Sequence, residues 1–388
     1  MWKSVIFGRI HCSPKCSYMN RSAITKLQAS LLIVVVICGI AAGAYAYYSM
    51  SVPTARSRLI VSTTTSLYET GFLDALETKF ELKYPNMNVS FISQGTGLAI
   101  QTAMRGDADM LLVHAPSQEL PFLKGGYGVN RKIVAYNFFV IVGPSEDPAG
   151  IKGKSPSDAF KAIRSAGLNG TAIWVSRGDN SGTYTKEVSL WKAVGLDVKQ
   201  LRQEKWYLEA GGSMTATLKL ANEKRGYTLS DTASYLLNFN NHNIDLVKLV
   251  EGTKSMLNVY SAIADDPRNA NMTKTNFDGS MMLIRYLVSD EGQQLFADYG
   301  VSQYGKPLFG PYLKLLQSKS DPLGNDPTQL IQWIGEYAFF EGSECPQQFR
   351  YQAEGLYSTQ APVPVLLVSI MKGAEQRKAP ACIQSSKA

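Results

Sequence analysis

The chain has 388 residues, of which 45% are hydrophobic and 18% charged, so it can bury a large core and is not a disordered or low-complexity chain. Its formal net charge is +7, but the excess of basic over acidic residues lies at the two ends, in residues 1–28 and 372–388. The body between them is close to neutral. This distribution argues against a nucleic-acid-binding surface.

An apolar run from Ala29 to Tyr48 carries no charge. About 20 such residues can cross a bilayer, and the basic residues before the run predict that the N-terminus stays inside and the body outside. Ala44-Tyr45-Ala46 has the A-x-A form of a signal-peptidase site, so a cleaved signal peptide and a secreted or periplasmic body remain the alternative. The long basic lead and the full-length run favour an uncleaved single-pass anchor in the cell membrane.

Of the five cysteines, only Cys345 and Cys382 lie beyond the apolar run, where they could form one disulfide. The three histidines, His11, His114 and His242, are scattered and give no zinc-ligand spacing. We therefore expect neither a bound metal ion nor another cofactor.

Beyond Arg58 short apolar strands alternate with helical patterns, which predicts an α/β fold. Three consecutive predicted strands, at residues 58–62, 88–92 and 110–113, end in loops that open helices. Two of these loops, Thr63–Ser66 and Gln94–Gly97, are rich in hydroxyl groups and glycine. In an open parallel sheet, ligands bind just beyond the carboxyl ends of the strands.

A longer strand pattern at residues 132–142 is followed by a second α/β region, so the simplest architecture is two lobes joined by long crossing strands. Beyond Pro311 the pattern loosens, residues 321–327 resemble a linker, and residues 329–340 could form a helix. The expected division is a basic N-terminus, anchor (29–48) and linker at 1–57, lobe 1 at 58–138, lobe 2 at 139–254, a return to lobe 1 at 255–312, and a C-terminal extension at 313–388.

The most informative stretch is Ser176–Tyr184, Ser-Arg-Gly-Asp-Asn-Ser-Gly-Thr-Tyr, between a strand at 171–175 and an amphipathic helix at roughly 186–194. Glycine, hydroxyl groups and helix-terminal N–H groups collect there beside Arg177, which is the composition of an anion site. A plain capped turn, with Ser181 or Thr183 as the cap and Arg177 paired with Asp179, is the alternative.

Several motifs occur in an order that resembles the tungstate-binding proteins of ABC uptake systems. They are Thr63–Ser66, Gly95–Gly97, Gly106–Asp109 with His114–Pro116, Ser176–Thr183, Glu209–Thr217, Gly226–Asp231 and Leu249–Gly252. The resemblance covers about residues 58–309. It implies a two-lobed type II periplasmic-binding fold with a hinge and an oxyanion held in the cleft. By position, it implies ligand contacts from Thr64, Thr65, Ser66, Thr96, Arg177, Ser181, Gly182 and Thr183.

The same resemblance implies the function of an extracytoplasmic receptor that delivers tungstate or molybdate to an ABC permease and its ATPase. A receptor for another oxyanion such as phosphate or sulfate, or an anchored scaffold without a transport role, are the alternatives. An enzyme is disfavoured. Gly178–Gly182 only superficially resembles the Gly-Asp-Ser-Gly of serine proteases, because Asn180 intrudes and the pattern is α/β.

His114 bears on the choice of anion. Phosphate-binding proteins have a similar arginine loop, but their strand at this point ends in Ser-Asp-Ala-Pro, and that aspartate accepts the proton of hydrogen phosphate. Here His114 takes the place of the aspartate. Because tungstate and molybdate are fully deprotonated at neutral pH, a carboxylate facing them would repel. We therefore expect tungstate to bind tightly, molybdate comparably or less tightly, and phosphate and sulfate poorly. His114 itself is expected to be structural, packed beside Pro116.

Overall fold

A computed structural model describes residues 25–51 and 56–352. The chain divides into two compact units, Met1–Ala55 and Arg56–Ala388. The described part of the first unit is a single helix, α1, at Lys26–Ser51. Its window Gln28–Tyr45 has 18 residues, a mean hydropathy of 2.1 and no buried part, so by length and composition this helix could cross a membrane.

The second unit is an α/β body. Its strands are β1 (Ser57–Thr64), β2 (Met87–Gln94), β3 (Met110–Val113), β4 (Gly128–Gly143), β5 (Trp174–Ser176), β6 (Tyr207–Glu209), β7 (Thr228–Asp231), β8 (Val247–Val250), β9 (Leu257–Asp265) and β10 (Gly310–Pro311). Its helices are α2 (Thr65–Glu69), α3 (Phe72–Lys83), α4 (Thr96–Met104), α5 (Pro116–Lys124), α6 (Pro156–Leu168), α7 (Gly182–Ala193), α8 (Val198–Leu201), α9 (Met214–Glu223), α10 (Thr232–Asn240), α11 (Phe277–Leu287), α12 (Asp290–Asp298), α13 (Val301–Tyr304), α14 (Tyr312–Ser318) and α15 (Pro327–Ala338).

One sheet has the strand order β2-β1-β3-β9-β4-β10. In it β1 pairs in parallel with β2 and β3, whereas β9 pairs antiparallel with β3 and β4. Strand β3 is buried throughout, as expected for a central strand of this mixed sheet. We call this sheet and its helices lobe 1. The carboxyl ends of β1 and β3 therefore open on the same edge of the sheet.

The long strand β4 joins two sheets. Its residues Gly128–Phe138 pair with β9, and its residues Phe139–Gly143 pair antiparallel with β7 and β8. A bridge between Trp174 and Tyr227 connects β7 to β5, which pairs in parallel with β6. We call this second group of strands and its helices lobe 2. All 16 residues of β4 are buried, as expected for a strand that crosses the centre of the body.

The helix after the arginine loop begins at Gly182, four residues before the predicted start. The apolar periodicity that predicted the helix starts only one turn later, whereas its first turn is fixed by a cap from the Ser181 side chain. The helix expected after the strand at 110–113 is present as α5, whereas the sequence reading missed α10 and α14. Each of these two missed helices is short, so its periodicity was too brief to identify.

The chain beyond Pro311 is packed against the body as far as residue 352. Leu315, Leu330 and Ile334 are fully buried, in the same apolar cluster as Trp174 and Trp191 of lobe 2. The predicted linker is fixed too, because the hydroxyl of Tyr136 donates a 2.7 Å hydrogen bond to the Asp321 carboxylate. Tertiary packing thus orders a segment whose local pattern is weak.

Only one cysteine of the expected disulfide is among the described residues. Cys345 is buried, whereas Cys382 lies outside the described residues. The pairing of these two cysteines therefore stays a prediction.

Candidate oxyanion site

Arg177 is at the centre of the site and is only 2% exposed. Its Nη2 donates to the Thr65 hydroxyl of lobe 1 at 2.6 Å, and its Nε lies 3.0 Å from the Asp179 carboxylate and 3.2 Å from the Gly212 carbonyl. Since the Thr65 oxygen accepts from the guanidinium, its own proton remains available to a ligand. The arginine thus connects the two lobes.

The loop after Arg177 is fixed by its own side chains. Gly178 has φ +64°, and a Cβ there would come within 2.7 Å of the Glu209 side chain, so this position requires glycine. The second oxygen of the Asp179 carboxylate accepts the Ser181 N–H at 3.2 Å, and the Ser181 hydroxyl accepts the Tyr184 N–H at 3.1 Å. Asp179 therefore pairs with Arg177 and caps its own loop, as expected from the sequence.

Two buried hydroxyls at this place have no partner. Thr96 Oγ1 and Thr183 Oγ1 make no hydrogen bond to any described residue. They lie at the first turns of α4 and α7, where the leading N–H groups also have no partner within the helix. A Cβ built on Gly182 would be 3.1 Å from Thr96 Oγ1, so the two helix starts are in contact. Unpartnered buried hydroxyls are costly unless a ligand satisfies them.

The two lobes also meet through their backbones. The Gly97 N–H donates to the Asn180 carbonyl at 2.9 Å. A Cβ on Gly97 would overlap the Asn180 side-chain amide, so any larger residue at this position would have to displace that side chain. The cleft is therefore closed around the loop in this structure.

His114 completes the lobe 1 side of the site. Its Nδ1 is 2.8 Å from the Asn258 side-chain oxygen, and its Nε2 is 3.4 Å from the Ser66 hydroxyl, which in turn is 3.5 Å from the Thr64 hydroxyl. The Asn258 amide donates to Asn137, so from this network we assign the proton of His114 to Nδ1. Nε2 is then an acceptor that faces Ser66.

The imidazole is uncharged at neutral pH. Burial, together with the positive charges of Arg177 and Lys186, lowers the pKa of His114 to about 4, against the opposing effect of the Asn258 hydrogen bond. A neutral ring orients Ser66 without adding a charge. His114 thus positions a predicted ligand residue in addition to packing in the core.

The buried Glu187 carboxylate holds the strand end that leads into the arginine loop. Glu187 accepts hydrogen bonds from the Ser176 hydroxyl at 2.8 Å, from the Tyr207 hydroxyl at 2.7 Å and from the Trp174 and Trp191 indoles. Burial raises the pKa of Glu187, and these hydrogen bonds oppose the shift. The carboxylate fixes Ser176, the residue that precedes Arg177, so it positions the arginine loop.

The residues predicted from the sequence come together in space. Contacts or chain adjacency link all eight of them: Thr64, Thr65, Ser66, Thr96, Arg177, Ser181, Gly182 and Thr183. The sequence reading missed Asn258, Asn180 and Lys186. Asn258 lies on a predicted strand, where periodicity indicates burial but not a hydrogen-bonding role. Within residues 25–51 and 56–352, no group of three or more His, Cys, Asp or Glu could hold a metal ion.

The body has two α/β lobes that share long strands, and the N-termini of helices from both lobes meet at an arginine loop. This architecture defines an anion-binding protein of the periplasmic-binding type. The periplasmic-binding-protein (PBP) superfamily domain matches residues 49–291. The tungstate-binding protein TupA of Peptoclostridium acidaminophilum is 33% identical over 286 residues, which cover 74% of this chain and 96% of that protein.

Two solved structures are similar to this chain. The tungstate ABC transporter structure from Geobacter sulfurreducens has a TM-score of 0.55 and 42% identity, and covers 63% of this chain and 99% of its own. The tungstate-binding protein TupA from Desulfovibrio alaskensis G20 has a TM-score of 0.55 and 38% identity, and covers 66% of this chain and 98% of its own. The chain belongs to the PBP superfamily and, within it, to the family of tungstate-binding proteins of ABC uptake systems, with a two-lobed type II fold.

Proposed function

We propose that this protein is an extracytoplasmic receptor that captures tungstate, and also molybdate, between its lobes for an ABC importer. The observation that carries the proposal is the pair of buried hydroxyls of Thr96 and Thr183, which have no partner among the described residues and lie at the two helix starts that meet at Gly182, after the arginine loop. A dehydrated dianion needs donors for all its oxygens, and these groups supply them from both lobes. The ligand residues are then Thr64, Thr65, Ser66, Thr96, Arg177, Ser181, Gly182 and Thr183.

The arrangement of acceptors favours a fully deprotonated anion. Each oxygen of Asp179 already accepts a hydrogen bond, and both oxygens of the nearby Asp231 accept from Ser234. The bare Nε2 of His114 faces Ser66. A bound hydrogen phosphate would therefore compete with these protein donors for a carboxylate acceptor, which costs affinity relative to tungstate.

A binding role is favoured over catalysis. The Ser181 hydroxyl caps α7, and among the described residues neither His114 nor His242 forms a hydrogen bond with it. A serine nucleophile needs such a base within reach. We infer that Ser181 donates to a ligand and does not attack it.

Competition calorimetry with tungstate, molybdate, sulfate and phosphate tests the proposal. We expect tight tungstate binding, molybdate close behind or weaker, and poor binding of the other two anions. Phosphate that displaces tungstate at equal concentration would contradict the assignment.

Substitutions of Arg177 test the position of the oxyanion site. Arg177→Ala should weaken tungstate binding by about 1.5–3 kcal/mol or more, because a charge-assisted bond to the anion is lost, and Arg177→Lys should restore only part of it. Arg164→Ala, an exposed arginine on α6, is the matched control and should bind as the wild type does. Unchanged affinity in Arg177→Ala would refute the site.

For the membrane, we propose that α1 is an uncleaved anchor that keeps the body outside the cytoplasm, next to the permease and its ATPase. The support is the uncharged window Gln28–Tyr45 and the basic lead before it. Intact-mass measurement of the membrane-extracted protein decides this point. A mature chain that begins after Ala46 would replace the anchor with a signal peptide.

A further inference from the structure

A second buried cation lies close to the site. Lys186 is on α7, four residues after Gly182, so both residues lie on the same face of the helix. Its side chain is only 7% exposed. Its ammonium donates to the Ser255 carbonyl at 3.1 Å and lies 4.3 Å from the centre of the Tyr337 ring and 5.6 Å from that of Phe139.

The ammonium of Lys186 has no carboxylate within ion-pair distance among the described residues. The acids next to Lys186 and to Tyr337 in the chain are engaged elsewhere: Glu187 accepts from the tryptophan indoles, and Glu336 pairs with Lys254. A buried ammonium without a counter-charge costs free energy, as the pKa shows, because burial lowers the pKa of Lys186 to about 8.

The lysine lines a side chamber that adjoins the oxyanion site through Gly182 and His114. A cavity of about 280 Å³ is lined by Lys186, Thr185, Gly182, His114, Tyr337 and Phe340, among others. Gly182 and His114 also border the oxyanion site. The positive charge of Lys186 lowers the pKa of His114, so the two groups interact electrostatically.

The positive charge at the oxyanion site is too small to balance a dianion without Lys186. Arg177 is already paired with Asp179 at 3.0 Å, and His114 is neutral. The arginine loop therefore presents little net charge to a dianion, which carries two negative charges. In a poorly solvated site these charges are stabilised by any unbalanced cation nearby, even without contact.

We propose that Lys186 is a second cation of the oxyanion site, acting on the dianion from the side chamber that adjoins His114. This inference rests on the proposed function. The bound dianion stabilises the ammonium and the ammonium stabilises the dianion, so binding and protonation of Lys186 are coupled. The groups that face the ammonium from the other elements are the neutral His114, the Phe139 ring, the Ser255 carbonyl and the Tyr337 phenol, whose pKa burial raises.

The coupling between tungstate binding and Lys186 protonation predicts how affinity changes with pH. At pH 7 the lysine is protonated with or without tungstate, so affinity there does not depend on pH through this group. The anion raises the pKa of Lys186 above its value of about 8 in the free protein. Between the two pKa values, binding takes up a proton, and affinity falls as pH rises.

Calorimetry of the full chain in detergent, with tungstate as the probe, tests this proposal. Titrations at pH 7 and pH 9, in buffers of different ionisation enthalpy, give both the affinity and the number of protons taken up. We expect proton uptake by the wild type at pH 9. We expect Lys186→Gln to bind about tenfold or more weakly at pH 7, since a shift of one pKa unit corresponds to a tenfold change, and to take up no proton through this site. Lys186→Arg should keep near wild-type affinity but lose the decline above pH 8, because arginine stays charged.

Lys192→Gln is the matched control, because it removes the same charge from an exposed position of α7. It should leave both the affinity and the proton uptake unchanged. Wild-type affinity and wild-type proton uptake in Lys186→Gln would overturn the role of Lys186, and so would an equal loss in Lys186→Gln and Lys186→Arg, which indicates packing alone. A wild-type chain that binds none of the four oxyanions would overturn the proposed function and this role with it.

Discussion

At the scale of single residues, the site is prepared for a ligand by groups whose hydrogen bonds are incomplete. Thr65 and Ser181 each use an oxygen to accept a bond from the protein, and each keeps a proton to donate. Thr96 and Thr183 have no partner among the described residues. Donors fixed in advance bind an anion without the cost of reorganising the site.

The orphan hydroxyls give the first prediction. Thr96→Val keeps the shape of the side chain and removes only the hydroxyl, so the anion-free protein should be as stable as the wild type or slightly more stable. Tungstate affinity should fall by about 1.5–3 kcal/mol, the usual loss of a hydrogen bond to a charged group. Thermal melts without anion and calorimetry with tungstate measure the two effects.

The control for Thr96→Val is a buried threonine of β1 whose hydroxyl is engaged. Thr63 donates to the Leu112 carbonyl at 2.7 Å, so Thr63→Val should lower stability by about 1 kcal/mol and change affinity little. The prediction fails if Thr96→Val loses stability without anion but keeps its tungstate affinity.

At the scale of elements, the start of α7 decides how closely the lobes approach. Gly182→Ala would place a Cβ 2.8 Å from His114 Cε1, which is too close for an ordinary contact. We expect the start of α7 to move away from lobe 1 and tungstate affinity to fall at least tenfold, with little change in anion-free stability. Gly335→Ala on α15, whose Cβ would have no neighbour nearer than 4.0 Å, should bind normally and be slightly stabilised by the better helix propensity of alanine.

A buried ion pair attaches the C-terminal segment to the body. Arg131 bonds Glu119 at 2.8 Å and donates to the carbonyls of Ala338 and Glu344 at 2.7 and 2.8 Å, with both charged side chains fully buried. Arg131→Ala should cost about 3–5 kcal/mol of unfolding free energy, because Glu119 is left as an uncompensated buried charge.

Urea denaturation measures this cost, and a surface pair provides the comparison. Arg225 and Glu146 form an ion pair with side chains 67% and 60% exposed. Arg225→Ala should therefore change stability by about 1 kcal/mol or less. Similar losses in the two variants would contradict a role for Arg131 in holding the segment beyond Pro311.

The sequence alone identified those elements whose signal is local. Strands that end in hydroxyl-rich loops and the arginine loop could be read directly, because caps, turns and short apolar runs are set by neighbouring residues. The contact of Asn180 with Gly97 and the hydrogen bond from Asn258 to His114 join residues far apart in the chain, so no local pattern indicates them. The packing of α14 and α15 was missed for the same reason.

At the scale of the whole molecule, four hydrogen-bonded contacts between described residues are among those that join the lobes across the cleft. They are Arg177 with Thr65, Gly97 with Asn180, Gln118 with Thr185 at 2.6 Å, and Glu69 with Thr215 at 3.0 Å. Closure also buries the hydroxyls of Thr96 and Thr183 without partners. A closed cleft with these groups unsatisfied is strained relative to an open cleft, in which water satisfies them.

The last prediction is therefore that tungstate selects the closed form. Small-angle scattering of residues 56–388 should show a smaller radius of gyration with saturating tungstate than without it, since the anion replaces the water that the open cleft admits. Arg177→Ala, which binds tungstate more weakly, should need a higher tungstate concentration than the wild type to reach the compact profile. If the wild-type profile is identical with and without anion, the interlobe contacts hold the cleft shut on their own, and hinge closure is not the signal that a permease reads.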